Sequence, residues 1–285
     1  MGAMLEAVAN DPTIDWREAR DADAVAIWAP GRGLPGTSSG EASPSEWMAD
    51  WMDLEPERWL RRIPGRETLR VRTPDGQPVV VKRYSGDLVR DAWHERLRGR
   101  APRSPARREF ENLIGLAAAG VQVPAPIALC EARGRQDRRS SVVVMSHVEH
   151  DETLVERFAS GLAGRERERR LLLELVVRLH DAGWYHRDLY LQHLLWCDGP
   201  VLIDVGRARQ DRRPRQRWFV KDLAALWHSA PSTVTVDEAQ AFLGDYLDAR
   251  AGDVGAPGRW GRRVAKKARR IARHAPRFVD DGGSR

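Results

Sequence analysis

The apolar positions change period along the chain, and the change divides it. From Thr68 to Tyr84, in TLRVRTPDGQPVVVKRY, two β-prone runs flank Pro74-Asp75-Gly76, a turn signal. This predicts an antiparallel hairpin with Lys82 near the end of its second strand. In SPARREFENLIGLAAAGVQVPAPIAL the spacing becomes helical: Phe110, Leu113, Ile114 and Ala117 share a face, Gly120 closes the helix and Pro124 follows. SSVVVMSHVE reads as a buried strand entering a loop. GRERERRLLLELVVRLHDAGW reads as a helix whose apolar face includes Leu171, Leu175 and Leu179, ended by Gly183. A strand, PVLIDVG, and a helix, KDLAALWHSA, come next.

Upstream, Ser43-Pro44-Ser45-Glu46 has the capping-box form with Pro44 at the first helical position. Trp47, Trp51 and Leu54 then fall at i, i+4 and i+7, which predicts a short amphipathic helix packed on the main body. The Gly-, Pro- and Ser-rich stretch from Ala29 to Ser45 reads as a loop or linker. No internal repeat occurs. Strands with one helix, a hinge-like strand and a mostly helical half make a two-lobed α+β plan. We expect an N-terminal extension over 1–63, a small β-rich lobe with its hinge over 64–150, a mostly helical lobe over 151–255 and a basic helix or tail over 256–285.

Composition narrows the setting. A chain of 285 residues with 42% apolar content supports a real core. Its two cysteines, Cys130 and Cys197, form no C-x-x-C pattern, so neither a disulfide framework nor a structural zinc site is expected, and a reducing cytoplasm fits. Acidic residues precede any signal-like apolar run, and no 18-residue apolar segment occurs, so the chain reads as neither secreted nor membrane-spanning.

Lysine and arginine outnumber aspartate and glutamate by 47 to 41, and the pI is near 9.8, which favours anionic partners. From Arg259 to Arg277 there are basic residues and no acidic ones. With Trp260, Val264, Ile271 and Phe278 on one side, this tail suits equally a helix lying on an anionic membrane surface and one packed on the C-terminal half. No nucleic-acid motif accompanies the charge, and no nucleic acid is expected as a partner.

The chemistry-bearing residues fall in an informative order. Phosphoryl transfer from ATP asks for a cation on the phosphates, an acid to fix that cation, a carboxylate near the attacking hydroxyl and oxygen ligands for magnesium. Lys82 in VVVKRY, Glu109 on the next helix, Asp188 in His186-Arg187-Asp188 and Asp204 in LIDVG match these needs. Each alone has an ordinary structural reading. Glu111 lies close to Glu109, and a carboxylate on a helix is usually a surface group. The conjunction of all four with Leu179-His180 and Gly183 points to a protein-kinase-like fold.

Within that superfamily the chain resembles the bacterial lipopolysaccharide core kinases, the heptose(I) kinase and Kdo kinase group. HRDLYLQHLL resembles that group's loop, with His193 where protein kinases have asparagine. VLIDVGRARQ resembles its Ile-Asp-x-x-Arg-Ala segment, and RQRWFVKDLAALWHSA its Arg-Trp-x-x-Lys-Asp-Leu helix. The resemblance spans roughly Arg66 to Ala230.

It implies an ATP- and magnesium-dependent kinase acting on a sugar hydroxyl of the lipopolysaccharide inner core, cytoplasmic and peripheral to the inner membrane. Asp188 is then the catalytic base, Lys82 and Glu109 serve the nucleotide phosphates, and Met145, Ser146 and Val148 form the adenine-side hinge. Asp204 and His193 are the metal candidates, His193 alternatively bonding Asp188 or a phosphate, and Asp222 and Arg187 anchor the loop. Asp222 follows Asp204 by only eighteen positions, too few for a platform that presents a protein substrate. That stretch instead carries Arg207, Arg209, Arg212, Arg213, Arg215 and Arg217, which could meet an anionic acceptor. A glycine-rich phosphate loop is nearly absent: IPGRET holds only Gly65. The competing expectations are a small-molecule phosphotransferase of the aminoglycoside or choline kinase kind, and a membrane-docking pseudokinase.

Overall fold

In the computed structural model of the protein, which describes residues 16–29, 43–85, 103–132, 140–160, 165–213, 215–250 and 257–273, the chain separates into two units. One comprises Met1–Glu149 and Val201–Ala208, the other His150–Pro200 and Arg209–Arg285. Most of the Gly-, Pro- and Ser-rich stretch before Ser43, and the tail after Arg273 with Phe278, lie outside the described residues.

The first unit is one antiparallel sheet of seven strands: β1 (Arg17–Arg20), β2 (Ala24–Trp28), β3 (Arg58–Ile63), β4 (Arg66–Arg72), β5 (Pro78–Tyr84), β6 (Pro126–Ala132) and β7 (Ser141–Ser146). Their order is β1-β2-β6-β7-β5-β4-β3. The predicted hairpin is β4–β5, with Thr68 opposite Lys82. Strands β1, β2 and β3 were not foreseen: REAR and RWLRRI lack the alternation that marks a half-buried strand.

Among the described residues, two helices cover the sheet. α1 (Pro44–Asp53) starts at the expected capping box, with Ser43 and Glu46 bonding reciprocally. It seats Trp47 and Trp51 on Val71, Val81, Ile127 and Val144. Its end has no glycine cap. The buried Arg83 serves instead, donating to the Trp51 carbonyl at 2.5 Å and to that of Leu54, two acceptors left without helical partners. α2 (Pro105–Ala118) packs against β5, β6 and β7 and buries Phe110, Leu113 and Leu116.

The second unit is mostly helical. β8 (Glu152–Thr153) leads into α3 (Leu154–Ala159), and α4 (Glu166–Asp181) runs to β9 (Trp184–Tyr185) through Gly183. A side chain at Gly183 would put its Cβ 2.6 Å from the Asp211 carbonyl, and its φ is +77°, so glycine is required there. β10 (Leu194–Trp196) pairs with β8. After β11 (Pro200–Leu202), which carries the chain toward Asp204, β12 (Arg209–Gln210) pairs with β9. α5 (Gln216–Ser229), α6 (Val236–Ala249) and α7 (Pro257–Arg273) complete the unit.

The apolar side of α7 is already occupied. Trp260 and Val264 are each 1% exposed and Ala268 is buried, with α7 packed on α5 and α6. Arg259, Arg262, Lys266, Arg269, Arg270 and Arg273 face outward. Of the two readings of the tail, packing on the C-terminal unit is the one these side chains adopt. Trp260→Ala is therefore expected to lower the unfolding free energy by about 3–5 kcal/mol in urea titrations without any lipid. A loss below about 0.5 kcal/mol would mean that the helix is a surface appendage.

Candidate active site

Because β5 turns alternate residues to opposite faces, Val81 and Arg83 meet α1 while Lys82 and Tyr84 meet α2. Lys82 Nζ donates to Glu109 Oε1, and the Tyr84 hydroxyl donates to Glu109 Oε2 at 2.6 Å. Lys82 is 6% exposed and Glu109 1%, so each charge is matched where water cannot do it. Glu111, two positions on, points elsewhere and pairs with Arg103 at 2.7 Å. Burial beside the Glu109 carboxylate pushes the Tyr84 hydroxyl well above its ordinary pKa, so it remains a donor.

Asp204 joins this cluster. Its Oδ1 lies 3.5 Å from Lys82 Nζ and accepts a 2.7 Å hydrogen bond from Arg66 Nη2. The residue is left-handed (φ 56°, ψ 47°), a conformation that costs a non-glycine residue about 1–3 kcal/mol. What holds it is the turn that follows. Asn112 of α2 donates to the Val205 carbonyl at 2.8 Å and to that of Ala208 at 3.0 Å, one helical turn from Glu109. The same helix thus positions both the partner of Lys82 and the Asp204 turn. Burial works against the Arg66 charge, but Tyr84, Asp204 and Glu109 around it outweigh that and hold its pKa above the ordinary value.

The second unit contains the other group. Both oxygens of the fully buried Asp222 on α5 accept backbone N–H bonds, from His186 at 2.6 Å and Arg187 at 2.7 Å. Arg187 takes φ +75°, which bends the chain into Asp188. Lys221, the neighbour of that anchor, places Nζ 3.3 Å from Asp188 Oδ1. His193 Nδ1 lies 2.9 Å from the Asp188 carbonyl oxygen. A carbonyl only accepts, so Nδ1 carries a proton, and Nε2 is the only ring nitrogen left for a metal.

Sequence reasoning gave Arg66 and Lys221 no role. Arg66 lay in a segment read for its shortage of glycine. Lys221 was visible only as part of the Arg-Trp-x-x-Lys-Asp-Leu helix, and its one signal was adjacency to the anchoring Asp222. In the hinge segment, Met145 is buried near the end of β7, Ser146 exchanges hydrogen bonds with Ala125, and Val148 follows outside any helix or strand.

Asp204 offers the hard oxygen that magnesium takes, and that ion ordinarily fills its remaining positions from water and substrate phosphates. Among the described residues, no three His, Cys, Asp or Glu side chains form a cluster that could hold a metal alone. The donors therefore suit an ion that arrives with a nucleotide.

The chain is similar to several known proteins. A family model described as the lipopolysaccharide kinase (Kdo/WaaP) family matches residues 50–246. Lipopolysaccharide core heptose(I) kinase WaaP of Pseudomonas aeruginosa is 33% identical over 186 residues, 60% of this chain and 69% of that protein. A 3-deoxy-D-manno-octulosonic acid kinase of Xanthomonas oryzae pv. oryzae is 28% identical over 162 residues, 56% of this chain and 64% of that protein. The solved structure of WaaP in complex with acyl carrier protein superimposes with a TM-score of 0.54 at 28% identity, covering 78% of this chain and 92% of that one.

The loop anchor leaves a signature in stability against pH. Burial pushes the imidazole of His180, on α4, below its ordinary value of 6.5, although Asp222 at 3.5 Å and Asp181 oppose this; Arg250 adds to it and Tyr246 bonds Nδ1. The unfolded chain then binds a proton that the folded chain resists. Stability is full above pH 6.5 and falls as the pH drops below it, by up to about 1.4 kcal/mol per pH unit. Urea titrations from pH 7.5 to 5 should show this slope in the wild type and a flatter one in His180→Gln; parallel slopes would refute it.

Proposed function

The chain belongs to the lipopolysaccharide kinase (Kdo/WaaP) family, and from that premise we propose that it transfers the terminal phosphoryl group of ATP to a hydroxyl of a heptose or Kdo in the lipopolysaccharide inner core. The observation that carries this reading is the buried pair Lys82 and Glu109 with the partly exposed Asp204 beside it, a cation fixed by one acid with a second acid 3.5 Å away.

In this scheme Asp188 accepts the proton of the sugar hydroxyl as its oxygen attacks the terminal phosphorus. The bond from that phosphorus to the bridging oxygen breaks, and ADP leaves with the electron pair. Lys221 holds the Asp188 carboxylate and sets a positive charge beside the reacting oxygens. Lys82, steadied by Glu109, grips the nucleotide phosphates. Asp204 would hold a magnesium ion, whose charge would offset that of the phosphates. Met145, Ser146 and Val148 meet the adenine side, and His193 keeps the loop in shape or lends Nε2 to a metal.

The acceptor is anionic, and Arg207, Arg212, Arg213, Arg215 and Arg217 are all exposed beyond Asp204. We place the enzyme at the cytoplasmic face of the inner membrane, held there by charge. No described helix is long and apolar enough to cross a membrane, and the outward face of α7 is basic. The complex of the solved relative supports a protein partner as well, acyl carrier protein, distinct from any protein substrate.

Purified core lipopolysaccharide incubated with the protein and labelled ATP should gain label. Asp188→Asn should reduce transfer by about 10²- to 10⁴-fold. No transfer by the wild type, undiminished transfer by the variant, or equal transfer to small water-soluble alcohols would each overturn the reading.

A further inference from the structure

A kinase-type phosphate loop covers its ligand with free backbone amides, and this takes several residues between two strands. Here β3 ends at Ile63 and β4 begins at Arg66, so Pro64 and Gly65 are the whole connection. Pro64 has no N–H. Gly65 is committed: its carbonyl accepts from Ser85 N at 3.1 Å, its φ is +75°, and a Cβ there would stand 2.7 Å from the Ser85 carbonyl oxygen. The turn lies against the end of β5 and has no slack to fold over a phosphate. If the first unit binds a nucleotide, side chains must replace the cradle.

The first side chain after the turn is Arg66. Its guanidinium lies 5.7 Å from the centre of the Tyr84 ring and reaches Asp204 Oδ1 at 2.7 Å, beside Lys82 Nζ at 3.5 Å from the same oxygen. Two cations thus converge on one carboxylate. Lys82 also has Glu109 as its partner, so Asp204 chiefly matches Arg66. A divalent ion on Asp204 repels that guanidinium, whereas the phosphates that come with the ion attract it. A planar fork of donors also suits phosphate oxygens.

We propose that Arg66 is a phosphate-binding residue standing in for the glycine-rich loop, exchanging its bond to Asp204 for the β- and γ-phosphate oxygens of the nucleotide when the metal takes Asp204. This rests on the reading of Lys82 and Asp204 as a nucleotide site. The exchange makes Arg66 both a ligand for the phosphates and a competitor of the metal. Those two roles predict opposite effects of one substitution.

Calorimetric titration of adenosine, AMP, ADP and ATP, with and without magnesium, tests the first role. Arg66→Gln should weaken ATP by about 10- to 100-fold, AMP less, and adenosine not at all, while Arg66→Lys recovers part of the loss. Manganese titration followed by electron paramagnetic resonance, without nucleotide, tests the second. Removing the competing guanidinium should tighten manganese binding. Thermal melts confirm that each variant is folded, and Arg66→Lys keeps the test open if Arg66→Gln is not. Equal losses for ATP and adenosine would make Arg66 a scaffold residue, and unchanged ATP affinity or weaker manganese binding would also overturn the proposal. Failure of the wild type to bind ATP would instead bring down the nucleotide-site reading itself.

Discussion

The buried pairing of Lys82 with Glu109 is the interaction on which the first unit's site depends. Neither charge can be left alone there, because removing one partner of a buried pair costs about 3–5 kcal/mol. β5 must therefore present Lys82, and not Val81 or Arg83, to α2. A slip of one residue would bring Arg83 under the helix and leave Lys82 against Trp51. The register of β5 with its neighbours is thus coupled to the polar face of α2 as strongly as to the apolar face toward α1. Tyr84 adds a second, neutral donor to the same carboxylate, which leaves Glu109 with both oxygens engaged.

α2 passes this order on to Asp204. Glu109 and Asn112 are three positions apart and so lie on one side of the helix. One fixes the lysine, and the other ties down the turn after Asp204. The left-handed Asp204 is the expensive element, and a single asparagine bonded to two carbonyls keeps it from relaxing. The second unit solves its own problem in the same way: a fully buried Asp222 takes two backbone amides and so sets the strained Arg187 that aims Asp188. In both units a buried side chain bonds backbone beside a left-handed residue, Asp204 itself in the first and Arg187, which precedes Asp188, in the second.

These features differ in how far sequence could reveal them. The β4–β5 hairpin, α2, α4 and the capping box of α1 were legible because each has a period and punctuation of its own. β1 and β3 were not, because edge strands rich in arginine carry no alternation, and their pairing is decided by β2 and β4. Lys82, Glu109, Asp188 and Asp204 stood out as a set through their order and spacing, and the fold brings the first, second and fourth of them together. That Glu109 and not Glu111 meets Lys82 depends on helix rotation, which spacing alone does not settle. Arg66 and Lys221 were illegible for a plainer reason: an arginine among 47 basic residues carries no mark until a fold brings it to a carboxylate. The tail shows the limit of periodicity itself, since an amphipathic helix has the same pattern whether its apolar side meets lipid or, as Trp260 does, a protein core.

His193 shows how a departure from a motif acquires meaning from geometry. An asparagine at this place would offer magnesium an amide oxygen, and an imidazole offers a softer nitrogen that magnesium takes poorly. The ring is nevertheless not idle. Its Nδ1–H bonds the carbonyl of Asp188 and closes the loop on itself through the short 3-10 turn Leu191–His193. That bond draws on the backbone of Asp188, while Lys221 meets its carboxylate. Support for the loop and charge beside the Asp188 carboxylate thus come from different residues, and the loop can keep its shape without a metal ligand at position 193. Among the described residues the ring is thus engaged by backbone, and no three His, Cys, Asp or Glu side chains form a cluster around an ion.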